Sequence, residues 1–239
     1  QNTHPGMANR LLAHLAQRVC VTFSESAKFL PAGKTVHTGN PVRQLTTTAY
    51  PAPERFTVLA FGGSQGAHQI NRAMVHAAQR LRTRLTHLQI VHQTGPSDEG
   101  WVRQQYEGAG TQATVLPFID EMGQAYGRAD VVVCRAGAST LAELAMLGKP
   151  AILVPYPYAA DDHQRHNAAA FVRHGAAEMI LDADLTGEVL ASRLATLARA
   201  PEQRRKMSAA ARRLATPNAA ADVLDTCRQV VQAARVEPR

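Results

Sequence analysis

From Phe56 onward, short apolar runs alternate with amphipathic stretches, and few folds are compatible with that order. Phe56–Phe61 reads as a strand that stops at Gly62, and Ala67–Leu81 as a helix with apolar spacing at Ile70, Met74, Ala77, Ala78 and Leu81. Leu88–Val91 predicts a second strand and Asp98–Tyr106 a helix, followed by a short strand at Ala113–Leu116 and a short helix at Met122–Arg128. Asp130–Cys134 is rich in β-branched residues, as a central strand requires. Thr140–Leu147 predicts a helix ended by Gly148, with Pro150 beyond it. Ala151–Val154 is the next strand, His163–His174 a helix closed by Gly175, and Glu178–Leu181 a last strand. Strands joined by helices of this length form right-handed crossovers and a parallel sheet. Near-continuous apolar runs fit strands buried on both faces. The expected architecture is therefore α/β, a doubly wound domain over residues 56–215 with ligands at the carboxyl ends of its strands.

Residues 1–43 are different. Met7–Gln17 predicts a helix, Val19–Phe23 a strand and Lys34–His37 another short strand, too little to enclose a core. They read as the remnant of a second α/β domain and are expected to expose apolar surface. Residues 44–55 are rich in Thr, Pro and Ala and read as an interdomain linker. Helices are expected at Pro201–Ala215 and Ala219–Ala234, broken at Pro217, with residues 216–239 crossing back toward the first segment. The chain starts with Gln1, without the basic-then-apolar pattern of a signal peptide, which reads as an internal cut.

Net charge is +7, which favours anionic partners such as nucleotides, phosphates or anionic lipid heads, although a solvated Arg-rich surface explains it equally well. Aromatics make up only 5% of the chain, which argues against a stacking platform for single-stranded nucleic acid. Cys20, Cys134 and Cys227 are far apart and form no zinc or disulfide pattern, in keeping with a reducing compartment. No run approaches the ~18 apolar residues of a membrane-spanning helix.

Three turns carry candidate chemistry. Gly62-Gly63-Ser64-Gln65-Gly66 joins a strand to a helix; its glycines permit close backbone approach, and free amides at a helix start attract phosphate. Gly-rich turns also serve purely structural ends, and no Lys follows at Walker spacing. Arg135-Ala136-Gly137-Ala138-Ser139-Thr140 is a second such turn, so that two neighbouring loops are available to grip a diphosphate. Glu143 either accepts hydrogen bonds from ribose hydroxyls or complements the helix dipole. Asp161-Asp162-His163-Gln164-Arg165-His166-Asn167 has residue types that could hold a metal, but His163 and His166 at i, i+3 have no Glu-x-x-His partner, and the cluster suits neutral sugar hydroxyls better. Its alternative is an Asp cap followed by a polar turn. Gly39-Asn40-Pro41-Val42-Arg43 precedes the linker; its Pro stiffens a hinge, and its Arg is long enough to reach a phosphate across a cleft.

Taken together, Gln1-Asn2, Pro5–Leu12, Gly39–Arg43, Gly62–Asn71, His92–Gly95, Pro117–Met122, Asp130–Glu143, Gly148–Pro157 and Asp161–Ala168 resemble, in order and spacing, the MurG family of bacterial glycosyltransferases. The resemblance spans essentially the whole chain. It implies a GT-B fold of two Rossmann-like domains facing a cleft, with UDP-N-acetylglucosamine held by the C-terminal one. Carried over by position, it implies that Asn2 lies near the donor, Arg43 and Ser64 face the diphosphate, and the backbone of Ile119 meets the uracil. It implies further that Ala138, Ser139, Thr140, Leu141, Ala142 and Glu143 surround phosphate and ribose, and that Gln164 reads the sugar. Gly63, Gln65, Gly66 and His163 are additional candidates. No cofactor and no metal is implied. The family's general base lies in an N-terminal loop without a counterpart here, so no catalytic base is assigned.

The implied reaction is inverting transfer of N-acetylglucosamine to lipid I, giving lipid II, at the cytoplasmic face of the bacterial inner membrane. Contact with the anionic membrane surface would fall to the part of the family pattern lacking here, and no nucleic-acid partner is implied. Two alternatives stand beside it: a nucleotide-sugar-binding module without activity of its own, and a UDP-N-acetylglucosamine 2-epimerase-like enzyme of the same fold.

Overall fold

The computed structural model describes residues 1–43, 45 and 55–236; most of the 44–55 linker expectation lies outside the described residues. The first segment contains helix α1 (Met7–Leu15), strand β1 (Val19–Val21), a 3-10 turn at Ser24–Phe29 and strand β2 (Thr35–His37). β1 and β2 pair in parallel as a two-stranded sheet. β1 ends earlier than expected because its one partner among the described residues is the three-residue β2, and beyond Val21 the chain turns into the 3-10 segment.

The larger unit alternates as its apolar periodicity requires. Its elements are β3 (Phe56–Phe61), α2 (His68–Leu81), β4 (Leu88–Gln93), α3 (Glu99–Gly108), β5 (Ala113–Leu116), α4 (Met122–Arg128), β6 (Val131–Cys134), α5 (Ala138–Leu147), β7 (Ala151–Leu153), α6 (His163–Arg173) and β8 (Ala177–Met179). All six strands are parallel, in the order β5-β4-β3-β6-β7-β8. The chain builds outward from β3 to β5, then returns to lay β6 on the other side of β3. The order therefore reverses between β3 and β6, where an open parallel sheet leaves a crevice for ligands.

Alternate side chains of β3 and β6 feed two cores, because the strand period is two. Val58, Ala60, Val131 and Val133 pack with α2, α3 and a further helix, α7 (Gly187–Arg199). Leu59, Phe61, Val132 and Cys134 pack on the other face with α4, α5 and α6. Helix α7 (Gly187–Arg199) has no counterpart in the sequence-based expectation. Its signals are ordinary: Thr186 accepts from the Val189 amide at 3.2 Å as an N-cap, and Leu190, Ala191, Leu194 and Leu197 form the buried face. Helices α8 (Pro201–Arg213) and α9 (Ala219–Val236) follow.

One polar network lies inside the core. His92 on β4 is fully buried between Tyr106 Oη, 2.9 Å from Nδ1, and Asn71 Oδ1, 3.0 Å from Nε2. The Asn71 amide nitrogen donates to Thr94 O and Asp98 Oδ2, which leaves its oxygen toward His92. Nε2 therefore carries the proton, and Nδ1 accepts from the tyrosine hydroxyl. Burial holds the imidazole neutral, depressing its pKa to about 3, with the Asp98 charge opposing the shift.

Candidate functional site

The register of the sheet decides where the loops meet. Phe61 is level with Gln93 and with Cys134, Gln93 with Leu116, and Cys134 with Leu153. Strands β3 to β7 thus end at one height. The turns that follow them, carrying Ser64, Gly95, Ile119, Ala136–Glu143 and Tyr156–Gln164, all emerge at the same edge.

After β3, Gly63 takes φ 98° and Gly66 φ 76°, conformations that strain any residue with a Cβ. A Cβ on Gly66 would stand 1.9 Å from Thr94 O, and one on Gly95 2.2 Å from Gln65 O, so the loops after β3 and β4 interlock through two glycines. Gln93 Nε2 donates to Gly63 O at 2.8 Å and fixes the outer part of the turn. Ser64 and Gln65 are exposed.

After β6, Gly137 leads into α5 without a side-chain cap. The first-turn amides of Ala138, Ser139 and Thr140 have no acceptor within the helix. The Leu141 amide donates to Gly137 O at 3.0 Å and its side chain is fully buried, so it presents no free polar group. Leu141 and Ala142 instead line a cavity of about 250 Å³ that faces Phe23 and Glu25 of the first segment. The Ile119 side chain is buried among β3, α4 and α5, leaving only its backbone for a ligand.

Glu143 is mostly shielded, with a side chain 16% exposed. Tyr126 Oη donates to its Oε2 at 2.9 Å, and Arg43 Nε lies 3.7 Å from Oε1. Burial first, and then the Glu143 charge, push both the Tyr126 hydroxyl and the Cys134 thiol upward, so both stay protonated. Arg43 therefore rests on the carboxylate of Glu143, with a side chain still 58% exposed. Tyr126 has no place in the sequence-based site. A tyrosine within an apolar helix carries no signal of the acid it meets across the sheet end.

Gln164, at the start of α6, accepts from two backbone amides with Oε1: Ala136 at 3.1 Å and Tyr156 at 3.0 Å. Two N–H donors fix the amide orientation and turn Nε2 away as a donor. His163 bonds Ala160 O through Nδ1 at 2.8 Å. Asn2 Oδ1 accepts from Asn167 Nδ2 at 3.0 Å, which brings the first segment to α6. Asp161 and Asp162 adopt φ 52° and 50°, and neither side chain caps α6, unlike the Asp cap that the sequence offers as the alternative. Arg135 is anchored by Asp182 at 2.5 Å and by the carbonyls of Val154 and Pro155. It holds the base of the β6 loop against that of β7. Among the described residues, no group of three or more His, Cys, Asp or Glu is placed to hold a metal.

Comparison with known proteins bears on this arrangement. Residues 57–224 match the glycosyltransferase family 28 C-terminal domain. A relative from Desulfotalea psychrophila, named UDP-N-acetylglucosamine–N-acetylmuramyl-(pentapeptide) pyrophosphoryl-undecaprenol N-acetylglucosamine transferase, is 46% identical over 97% of this chain and 64% of its own length. The crystal structure of MurG from Acinetobacter baumannii superposes with TM-score 0.82 at 34% identity, covering 95% of this chain and 65% of that one. A UDP-GlcNAc 2-epimerase from Neisseria meningitidis shares only the fold, with TM-score 0.64 at 13% identity over 94% of this chain and 64% of that one. The chain thus spans just under two thirds of the length of the transferases it resembles. On the match over residues 57–224, the chain belongs to glycosyltransferase family 28, whose C-terminal domain it contains.

Proposed function

We propose that this chain is the donor-binding part of a transferase that moves N-acetylglucosamine from UDP-N-acetylglucosamine to lipid I, forming lipid II for peptidoglycan. The observation that carries the reading is the level ending of β3 and β6 on either side of the sheet reversal, each followed by an uncapped helix start. Such a pair of bends suits a pyrophosphate, since free amides and the positive helix ends face the same crevice. Glu143 would accept the ribose hydroxyls, and Gln164 Nε2 is the free donor for the sugar. Ser64 and Arg43 would face the diphosphate, with Arg43 leaving Glu143 to do so. Asn2, Ile119 and the Ala138–Ala142 stretch complete the proposed lining, with Gly63, Gln65, Gly66 and His163 as further contacts.

In the reaction, the acceptor's 4-hydroxyl oxygen bonds to C1 of the sugar as the bond from C1 to the β-phosphate oxygen breaks. The electron pair leaves with UDP, and the hydroxyl proton passes to a base. What these residues supply is stabilisation of the growing charge on the leaving diphosphate, a task that preorganised amides perform without reorganisation. No residue of this chain is assigned as the base. The proposed division is an acceptor-side remnant at 1–43, a linker at 44–55, a donor domain at 56–215 and a returning helix at 216–239. We place the parent enzyme at the cytoplasmic face of the inner membrane as a peripheral protein, with no nucleic-acid partner and no cofactor. No helix among the described residues is long and apolar enough to cross a membrane.

Binding is the direct test. UDP-N-acetylglucosamine at 100 times its dissociation constant should raise unfolding stability by ~2.7 kcal/mol. No shift with the sugar nucleotide or with UDP would overturn the reading. Glu143→Ala should weaken UDP binding roughly tenfold, on the order of one charged hydrogen bond; unchanged affinity would return Glu143 to a dipole role.

A further inference from the structure

Asn167 occupies an unusual position. It is fully buried on α6, one turn beyond Gln164, and every polar capacity of its amide is used. Oδ1 accepts from Thr3 N at 2.9 Å and from Thr3 Oγ1 at 3.0 Å. Nδ2 donates to Asn2 Oδ1 at 3.0 Å and to Ala136 O at 3.2 Å. Ala136 is itself fully buried, and its amide is held by Gln164. One residue at the base of the β6 loop is therefore gripped through both its N–H and its C=O by residues spaced i, i+3 on a single helix. The same asparagine that grips it also holds the first segment.

We infer that Asn167 is a positioning residue that couples the donor loop at 136–140 to residues 1–3. This rests on the donor-site reading above and adds a consequence to it: occupancy of the loop is felt at Thr3, more than 130 residues away in sequence. The physical basis is the absence of slack. A buried amide with four satisfied bonds cannot follow the loop without disturbing Thr3, because an orphaned buried donor or acceptor is costly. Asn2 bonds the 3-10 turn as well, through Ser26 Oγ to Asn2 O at 2.9 Å, so the effect reaches further into the first segment.

The test is amide hydrogen exchange on the whole chain, with and without UDP, in wild type, Asn167→Ala and Asn167→Asp. In wild type, UDP should slow exchange at residues 138–140 and at Thr3 together. Asn167→Ala should bind UDP about five- to tenfold more weakly, the loss of about one hydrogen bond. It should still protect 138–140 and leave Thr3 unresponsive. Asn167→Asp separates the two arms: its oxygen still accepts from Thr3, and Asn2 satisfies the other oxygen by flipping its amide, but Ala136 O loses its donor. Thr3 should then stay protected in the free protein and no longer respond to UDP, an outcome that a purely structural role does not produce. Equal response of Thr3 in wild type and both variants overturns the coupling, as does protection of 138–140 in wild type with none at Thr3. Absence of protection at 138–140 in wild type overturns the donor-site reading itself, and the coupling with it.

Discussion

Residues 1–43 and 55–215 use the same elements to opposite effect. β3 and β6 are buried along their whole length, whereas β1 and β2 together contribute one buried residue, Val21. The helices differ likewise. α2 buries Ile70, Met74, Val75 and Leu81, while α1 leaves Leu11 66% and Leu15 84% exposed. Apolar area stabilises the larger unit. The first segment is joined to it by polar links, Asn167 to Asn2 and Thr3 and Arg173 to Glu25 at 3.1 Å, and by Phe23, which packs partly buried against the second core. A helix and two short strands fold stably only where another surface covers them, and polar links of ~1 kcal/mol each leave local opening easier than global unfolding.

The sharpest contrast is expected from truncating one leucine in each region. Leu59→Ala should cost ~2–5 kcal/mol in urea unfolding, since it removes a fully buried side chain under α4 and α5. Leu15→Ala should change stability by no more than ~0.5 kcal/mol. Equal costs would erase the distinction between the regions.

Next in size is acid sensitivity of the larger unit. His92 is neutral when folded, with its pKa lowered to about 3, and takes up a proton near its usual value of 6.5 when unfolded. Between those values the unfolded state holds the extra proton, so this contribution is complete above pH 6.5 and is lost as pH falls. The slope is ~1.4 kcal/mol per pH unit, giving a loss of about 2 kcal/mol between pH 6.5 and 5. Denaturant titrations at those two values check it, and His92→Gln should flatten the difference.

The smallest effect belongs to the link between regions. Arg173 and Glu25 are 57% and 36% exposed, so a double-mutant cycle should give a coupling of ~0.2–1 kcal/mol, read as protease susceptibility of residues 1–43. A larger coupling would make this pair a principal anchor of the segment.

These differences track what local pattern makes legible. β3 and β6 and the turns after them follow from apolar runs that lead into glycine loops, because a strand buried on both faces has few alternatives. Helix α7 carries an apolar repeat as plain as that of α2 and, unlike α2, a side-chain cap at Thr186, so its absence from the expectation reflects unread pattern, not hidden physics. Asn167, Tyr126 and the Arg135–Asp182 pair are another matter. Their partners stand 164, 17 and 47 residues away, and no spacing rule joins a polar residue to an acceptor that tertiary folding alone delivers. Gln164 enters through resemblance, but the reason its Nε2 is free, two backbone donors on its oxygen, is visible only in three dimensions.

The crevice at the sheet reversal is tested most directly by mapping backbone amide shifts while UDP is titrated into the chain. The largest and earliest shifts should fall at residues 62–66 and 137–140, with the side-chain amide of Gln164 following when the sugar nucleotide replaces UDP. Shifts concentrated at the opposite ends of the strands, around Phe56 and Leu88, would contradict a phosphate cradle between β3 and β6.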